Sequence, residues 1–345
     1  MEIVNNNSIQ EENINEYAPL LSVIFITYNH EKYVEKALRS VLDQKTDFDF
    51  EVVIGEDCST DSTREVIAEV LKDYPNAQVR LNYAEKNSGR PTKNVYNTTM
   101  LCEGEYLAYL EGDDYWSDDY KLQKEVDFLK EHPEYIAVTH RMKMIDENGD
   151  EHTDENILKI GNLYDWRGPF TFHDYEYSGK WPGHYASVVS HNIYKNGKFD
   201  YTILYRAHDF VDDAIILLFL LIQGDIFCME ETMSAYRYVR KAGGQSWNSI
   251  ATKRDLAKDD CYLSKTMMQW LEGYFGMDEY GVSVAKRSFN LALSRFIKKP
   301  NKANKQFLDD MFDYYITHVV LNDKPESLFF YSIRAILGKI TGREA

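Results

Sequence analysis

Apolar and polar positions along the first 145 residues follow two alternating periods. Leu20–Thr27 (LLSVIFIT) is a β-rich run, and Glu31–Gln44 after it places Val34, Ala37, Leu38, Val41 and Leu42 on one helical face. The exchange then repeats. Phe50–Ile54 reads as a second strand, and Asp61 or Ser62 can cap a helix that turns Val66, Ile67, Val70 and Leu71 inward. Gln78–Tyr83 and Thr92–Cys102 form the third strand and helix. Tyr106–Leu110 is a fourth, buried strand. After Ser117 and Asp118 comes a helix with Leu122, Val126 and Leu129 inward, and Glu134–Ile145 is a further strand closed by the turn at Glu147-Asn148-Gly149. Strands alternating with helices predict an α/β fold, a mostly parallel sheet flanked by helices on both faces.

The rhythm changes near residue 150. Residues 150–183, rich in Gly, Asp, Tyr and Trp, read as loops around a site. Tyr185–Val189 reads as a strand, Asp212–Gln223 as a strongly apolar helix and 250–322 as several helices. This predicts a flexible arm over 1–18, an α/β domain over 19–249 with halves 19–145 and 146–249, and a helical C-terminal region over 250–345. The longest apolar run, Ala214–Ile222, is too short to span a bilayer. The polar, acidic N-terminus lacks signal-peptide architecture, so a cytoplasmic location is expected. Near the C-terminus, Phe329, Ile333, Ile336, Leu337 and Ile340 recur at helical spacing with Arg334, Lys339 and Arg343 among or beyond them. Such a helix can rest peripherally on the inner face of the membrane, although packing on the protein's own helices is the commoner outcome.

Composition changes this picture in two ways. A formal charge of −17 argues against nucleic acid as a partner, because such binding needs a basic surface. It also means that a diphosphate would be repelled unless cations intervened. The 26 tyrosines and 17 phenylalanines offer faces that can pack on sugars and bases, though most such rings fill cores and surfaces. Cys58, Cys102, Cys228 and Cys261 lack metal-site spacing and fit reduced structural thiols.

Candidate chemistry gathers at strand ends. The fourth strand runs into Glu111, Asp113 and Asp114, with Gly112 allowing a turn. Clustered carboxylates repel one another when partly buried, and a divalent cation among them relieves this. Oxygen ligands suit Mg²⁺ or Mn²⁺, which also hold phosphate oxygens. The plainer alternative is a solvated acidic turn. The first strand ends in Thr27-Tyr28-Asn29-His30 directly before a helix, a junction that offers backbone donors to an anion. The second ends in Gly55-Glu56-Asp57-Cys58-Ser59-Thr60-Asp61, where Asp57 can accept from a base N–H and Thr60 and Asp61 turn and cap. No dinucleotide glycine fingerprint and no P-loop is present.

Three strings in order, PLLSVIFITYNHEKYVEKALRSVLDQ (19–44), FEVVIGEDCSTDST (50–63) and EGEYLAYLEGDDYWSDDYKLQKEVDFLKEHPE (103–134), resemble family 2 glycosyltransferases of the GT-A fold. The resemblance implies that Thr27, Tyr28 and Glu56 line a nucleotide pocket, that Asp57 bonds the base and Asp113 the ribose, and that Asp114 is the metal ligand. Glu111 stands where Asp is more usual, and its part in metal binding stays open. By the same resemblance Asp213, before the apolar helix, is the catalytic base, with Asp212 and Asp209 as contenders. On the residues alone, Asp212 and Asp213 can equally just favour a helix N-terminus. His184 falls where related sequences often carry a histidine near the acceptor, although a lone histidine is more often a structural hydrogen-bonder, and Trp247, in the stretch after Tyr236-Arg237, could stack on an acceptor sugar. Val239, Arg240 and Lys241 fill the stretch where many relatives carry a histidine, so that either Arg240 or Lys241 meets the diphosphate instead or the contact is absent. Arg90 and Lys93 are further candidate phosphate partners.

The implied function is inverting transfer of a sugar from a nucleotide-diphospho-sugar, UDP-linked by expectation, to a glycan or lipid-linked acceptor in surface polysaccharide or glycoconjugate synthesis. Mn²⁺ or Mg²⁺ would be the cofactor. Two rival readings are a sugar-nucleotide nucleotidyltransferase, which would carry a glycine-rich basic loop near the N-terminus, and a catalytically silent nucleotide- or sugar-binding protein.

Overall fold

A computed structural model describes residues 2–3, 19–209, 213–240, 249, 253–276 and 279–317. The chain divides into two compact units, Met1–Thr252 and Lys253–Ala345. In the first, the strands are β1 (Glu2–Ile3), β2 (Leu21–Thr27), β3 (Phe50–Glu56), β4 (Gln78–Tyr83), β5 (Tyr106–Glu111), β6 (Tyr115–Trp116), β7 (Tyr135–Ile145), β8 (Gly168–Phe170), β9 (Val189–His191) and β10 (Asp225–Arg237). They form one sheet in the order β1-β4-β3-β2-β5-β9-β7-β10-β6, with β8 beside β10. Strands β2 to β5 pair parallel, as do β7 and β10. β9 runs antiparallel between β5 and β7, and β6 and β8 run antiparallel to β10.

The order around β2 positions the site. From β2 the chain steps outward through β3 and β4, then returns to place β5 on the other side of β2. The loops leaving β2 and β5 therefore end side by side, and the carboxyl ends of strands at such a switch point are where open α/β sheets bind ligands. The helices that allow this are α1 (Val34–Leu42), α2 (Thr63–Leu71), α3 (Pro91–Thr99) and α4 (Lys121–Glu131). Val34, Ala37, Leu38 and Val41 of α1 pack with Leu21, Val23 and Phe25 of β2 in one core, all fully buried. Burying each such larger side chain contributes on the order of 1.5–3 kcal/mol.

Several elements differ from expectation. α1 starts at Val34 because His30–Tyr33 first make a turn, the Tyr33 and Val34 N–H groups both donating to His30 O at 2.8 Å. Residues 150–183 are not simply loops: they hold α5 (Glu155–Gly161), β8 and α6 (Phe172–Ser178), the last with a full capping box from Thr171 and Asp174. Residues Tyr185–Ser187 are a 3-10 turn, and the strand begins only at Val189. β10 was hidden in the sequence because Glu230, Glu231 and Thr232 are exposed in mid-strand, where its register on β7 shifts and the alternation breaks. Within the expected arm, Glu2–Ile3 pairs with Arg80 and Leu81 of β4. Among the described residues this unit also holds α7 (Ile203–Arg206) and α8 (Asp213–Leu221); α8 is buried from Ile215 onward.

The second unit is helical among its described residues: α9 (Leu256–Phe275), α10 (Glu279–Lys298) and α11 (Lys302–Tyr315). Asp255 and Asn301 cap α9 and α11 by accepting from the Lys258 and Asn304 N–H groups. Among the described residues no helix is long and apolar enough to cross a membrane. The amphipathic stretch expected at 328–343 lies outside the described residues.

Candidate active site

The loops after β2 and β3 are joined by a web of bonds. Asn29 and Cys58 both adopt left-handed backbone conformations, with φ of 57° and 60°. These let the two loops face one another. Asn29 N–H donates to Ser59 Oγ (2.9 Å), Thr60 N–H to Asn29 Oδ1 (2.8 Å), and His30 N–H to Thr63 Oγ1 (2.9 Å). Asp61 accepts from Glu31 N–H and from Thr63, so its carboxylate ties the start of α2 to the loop after β2. Glu56 is fully buried; it accepts from Ser59 N–H at 2.5 Å and pairs with Arg64. That geometry makes it a brace of the loop. Asp57 is also buried and accepts from Ser88 N–H (3.0 Å) and Ser88 Oγ (2.8 Å). Burial pushes its carboxyl up despite those bonds. Each oxygen keeps a lone pair for a further donor. Tyr28 is half-buried beside these loops.

The carboxylates after β5 differ sharply in their surroundings. Asp114 is 1% exposed. Its Oδ1 accepts from Arg237 N–H at 2.7 Å, while Oδ2 has no hydrogen-bond partner among the described residues. Desolvation first, and then the charge of Asp113, hold its carboxyl well above the usual range. His184 Nδ1 lies 3.8 Å from Oδ2. Burial pushes the His184 imidazole down to about 3, so its ring is neutral, the form that ligates metals. Ligand atoms of Glu111, Asp114 and His184 all lie within 4.8 Å of one another. Two carboxylates, one neutral imidazole and an unsatisfied buried oxygen suit a divalent cation. Asp113, partly exposed, faces His30 Nε2 at 3.8 Å. Gly112 is required by a close approach and not by its backbone angle: a Cβ there would lie 2.5 Å from Thr27 Oγ1 and 2.9 Å from His30 Nδ1.

Residues from the second half close the other wall. The Tyr164 ring meets His184 edge-on at 5.7 Å, and His184 lies 4.0 Å from the Tyr236 ring. The Tyr164 phenol is driven up by burial and then by the charges of Asp213, Tyr238 and Glu111. Asp213 opens α8 and accepts from Ala214 N–H at 2.7 Å; burial raises its carboxyl above the usual range. Asp209 instead pairs with Arg90 at 2.7 Å, and Arg90 also donates to Tyr205 O. That pairing draws both away from the roles considered for them, base and phosphate partner. Lys93 and Arg240 are exposed, while Asp212, Lys241 and Trp247 lie outside the described residues. Sequence reasoning missed Tyr164 and the fastening role of Arg237, whose side chain donates to Asp113 O and Asp146 O and stacks over Tyr33 at 4.2 Å. Nothing in the local string around Tyr164 marks it beyond an excess of aromatics.

Residues 22–190 match the family model described as glycosyl transferase family 2. The chain belongs to that family. An uncharacterized protein of Mycobacterium tuberculosis is 30% identical over 243 residues, 68% of this chain and 62% of its own length, so the match leaves over a third of that relative uncovered. The putative teichuronic acid biosynthesis glycosyltransferase TuaG of Bacillus subtilis is 38% identical over 118 residues, 33% of this chain and 44% of its own. Among solved structures, Staphylococcus aureus TarS 1–349 in complex with UDP superposes with a TM-score of 0.58 at 20% identity, covering 87% of this chain and 80% of that one. The fold is GT-A. The family match contains the three strand-end loops and His184 but stops short of Asp213.

Proposed function

We propose that this family 2 protein is an inverting glycosyltransferase that takes a sugar from a nucleotide-diphospho-sugar, with UDP as the favoured nucleotide, and delivers it to an acceptor hydroxyl in cell-surface polymer synthesis. One observation carries the reading: the buried, unpartnered Asp114 Oδ2 beside neutral His184 and Glu111, at the switch point next to the Thr27 and Asp57 loops. The names of relatives support the setting, since TuaG is described as a putative teichuronic acid glycosyltransferase and TarS as a poly(ribitol-phosphate) β-N-acetylglucosaminyltransferase.

Asp57 accepts from the base and Asp113 from the ribose, on one side of the crevice. Asp114, with His184 and Glu111, would hold a divalent cation. Mn²⁺ or Mg²⁺ bound there supplies positive charge against the leaving diphosphate. The Asp213 carboxylate takes the proton of the acceptor hydroxyl as that oxygen attacks the anomeric carbon. The bond from that carbon to the diphosphate breaks on the opposite face, which inverts the centre in a single displacement. Burial suits Asp213 to this task, because a raised carboxyl is a stronger base once ionised. A screen of nucleotide sugars for donor hydrolysis with Mn²⁺ tests the proposal: one donor or a narrow set should be consumed. Consumption of a sugar phosphate and nucleoside triphosphate instead would favour nucleotidyl transfer.

A further inference from the structure

Beneath His184 lie three ionisable side chains that the proposed reaction does not use. Lys121, the first residue of α4, and Glu125 one turn on are both fully buried, with Nζ 2.9 Å from Oε2. Glu125 Oε1 is 2.8 Å from His140 Nδ1 on β7, whose side chain is likewise fully buried. Stability alone does not explain such a group. Removing charges from water is costly, and apolar side chains of similar volume often do as well or better. Its contacts lead instead to the site. Lys121 Nζ sits 4.1 Å from the Trp116 ring centre, and the Trp116 indole N–H donates to Ala186 O at 2.8 Å. Ala186 N–H lies 3.4 Å from His184 Nδ1, a long hydrogen bond that a cation on that nitrogen would replace, so the turn acts on His184 through the backbone at 184–186. From the other side β7 grips the preceding residues. Thr139 Oγ1 donates to Pro182 O at 2.6 Å, and a Cβ on Gly183 would meet Thr139 Cβ at 2.8 Å. His184 is thus clamped between residues 182–183 and 186.

We infer that Lys121, Glu125 and His140 are positioning residues that act through Trp116 and the 185–187 turn to hold the His184 ring against Asp114, so that the trio sets the protein's affinity for its divalent cation. The inference rests on the metal-holding role of Asp114 and His184 proposed above. Outer-shell partners of metal ligands typically contribute about 10–100-fold to metal affinity.

The test is a triple variant, Lys121→Met with Glu125→Leu and His140→Leu, which removes all three ionisable groups while keeping bulk. Melting is followed by circular dichroism, and free Mn²⁺ by electron paramagnetic resonance in titrations of the full chain with UDP present. The brace predicts a cooperative melt at or near the wild-type temperature and an Mn²⁺ affinity about 10–100-fold weaker. Trp116→Phe keeps an aromatic ring but removes the indole N–H to Ala186, and it decides the matter if the triple variant does not fold; about tenfold weaker Mn²⁺ binding is expected. A folded variant of either kind with wild-type Mn²⁺ affinity, whatever its melting temperature, overturns the inference. Wild-type protein that takes up no Mn²⁺ with UDP is a different result: it removes the metal site itself, and the brace with it.

Discussion

The two halves of the α/β unit build the site in opposite ways. In residues 19–145, proposed to hold the donor, strands end in short loops, and parallel strands deliver those loops to one edge of the sheet. Thr27, Asp57 and Asp114 therefore come together although each sits in its own local motif. In residues 146–249, proposed to receive the acceptor, single residues arrive from unrelated elements: Tyr164 from a 3-10 turn, His184 from the start of another, Asp213 from a helix end and Tyr236 from a long strand. Repeated βα units make local sequence informative about the site. Tertiary packing of scattered pieces does not.

The comparison makes distinct predictions for the two halves. Substitution of Asp213, which holds neither nucleotide nor cation, should lower turnover with donor binding intact, whereas His184, as a cation ligand, belongs with the donor groups. The largest effect is expected for Asp213→Asn, a loss of about 10²–10⁴ in kcat with UDP affinity unchanged, since general base catalysis is worth that much. The pH profile sharpens it. Burial raises the Asp213 carboxyl, so the acid limb of kcat/KM should lie above the ordinary carboxylate range, activity falling as the base protonates. That limb should vanish in the Asn variant; retained turnover would remove Asp213 from the base role.

In the donor half, substitution should weaken UDP binding instead. Asp57→Asn replaces a charged acceptor and should cost about 1.5–3 kcal/mol of UDP affinity by calorimetry, with melting changed less. Gly112→Ala should weaken the same binding, because its Cβ would collide with Thr27 and His30; overpacking of this kind costs about 1–3 kcal/mol. The smallest effect is expected for Arg90→Ala. Its pair with Asp209 is partly exposed and worth at most about 1 kcal/mol, and UDP affinity should not change. A large loss of UDP binding would return Arg90 to the phosphate role.

The same contrast explains what could be read from the chain. The order of strands and helices through Ile145 was legible because apolar periodicity and strand-end turns agree there. β10 was not, because three exposed residues break its alternation at a register shift. The engagement of Arg90 by Asp209 was invisible for a different reason: the partners lie on separate elements, and no local pattern links them. Glu56 looked like a pocket residue, yet burial beside Arg64 and Ser59 N–H makes it a loop brace. Lys121, Glu125 and His140 read as parts of an amphipathic helix and a strand, and only folding buries all three together.

The proposed reaction stands or falls on a nucleotide site whose cation Asp114 would hold. Calorimetric titration of UDP into the protein, with and without Mn²⁺, tests it most directly. Binding should tighten markedly with Mn²⁺ and lose that gain in Asp114→Asn. Equal UDP affinity with and without the metal, or no UDP binding at all, would contradict it.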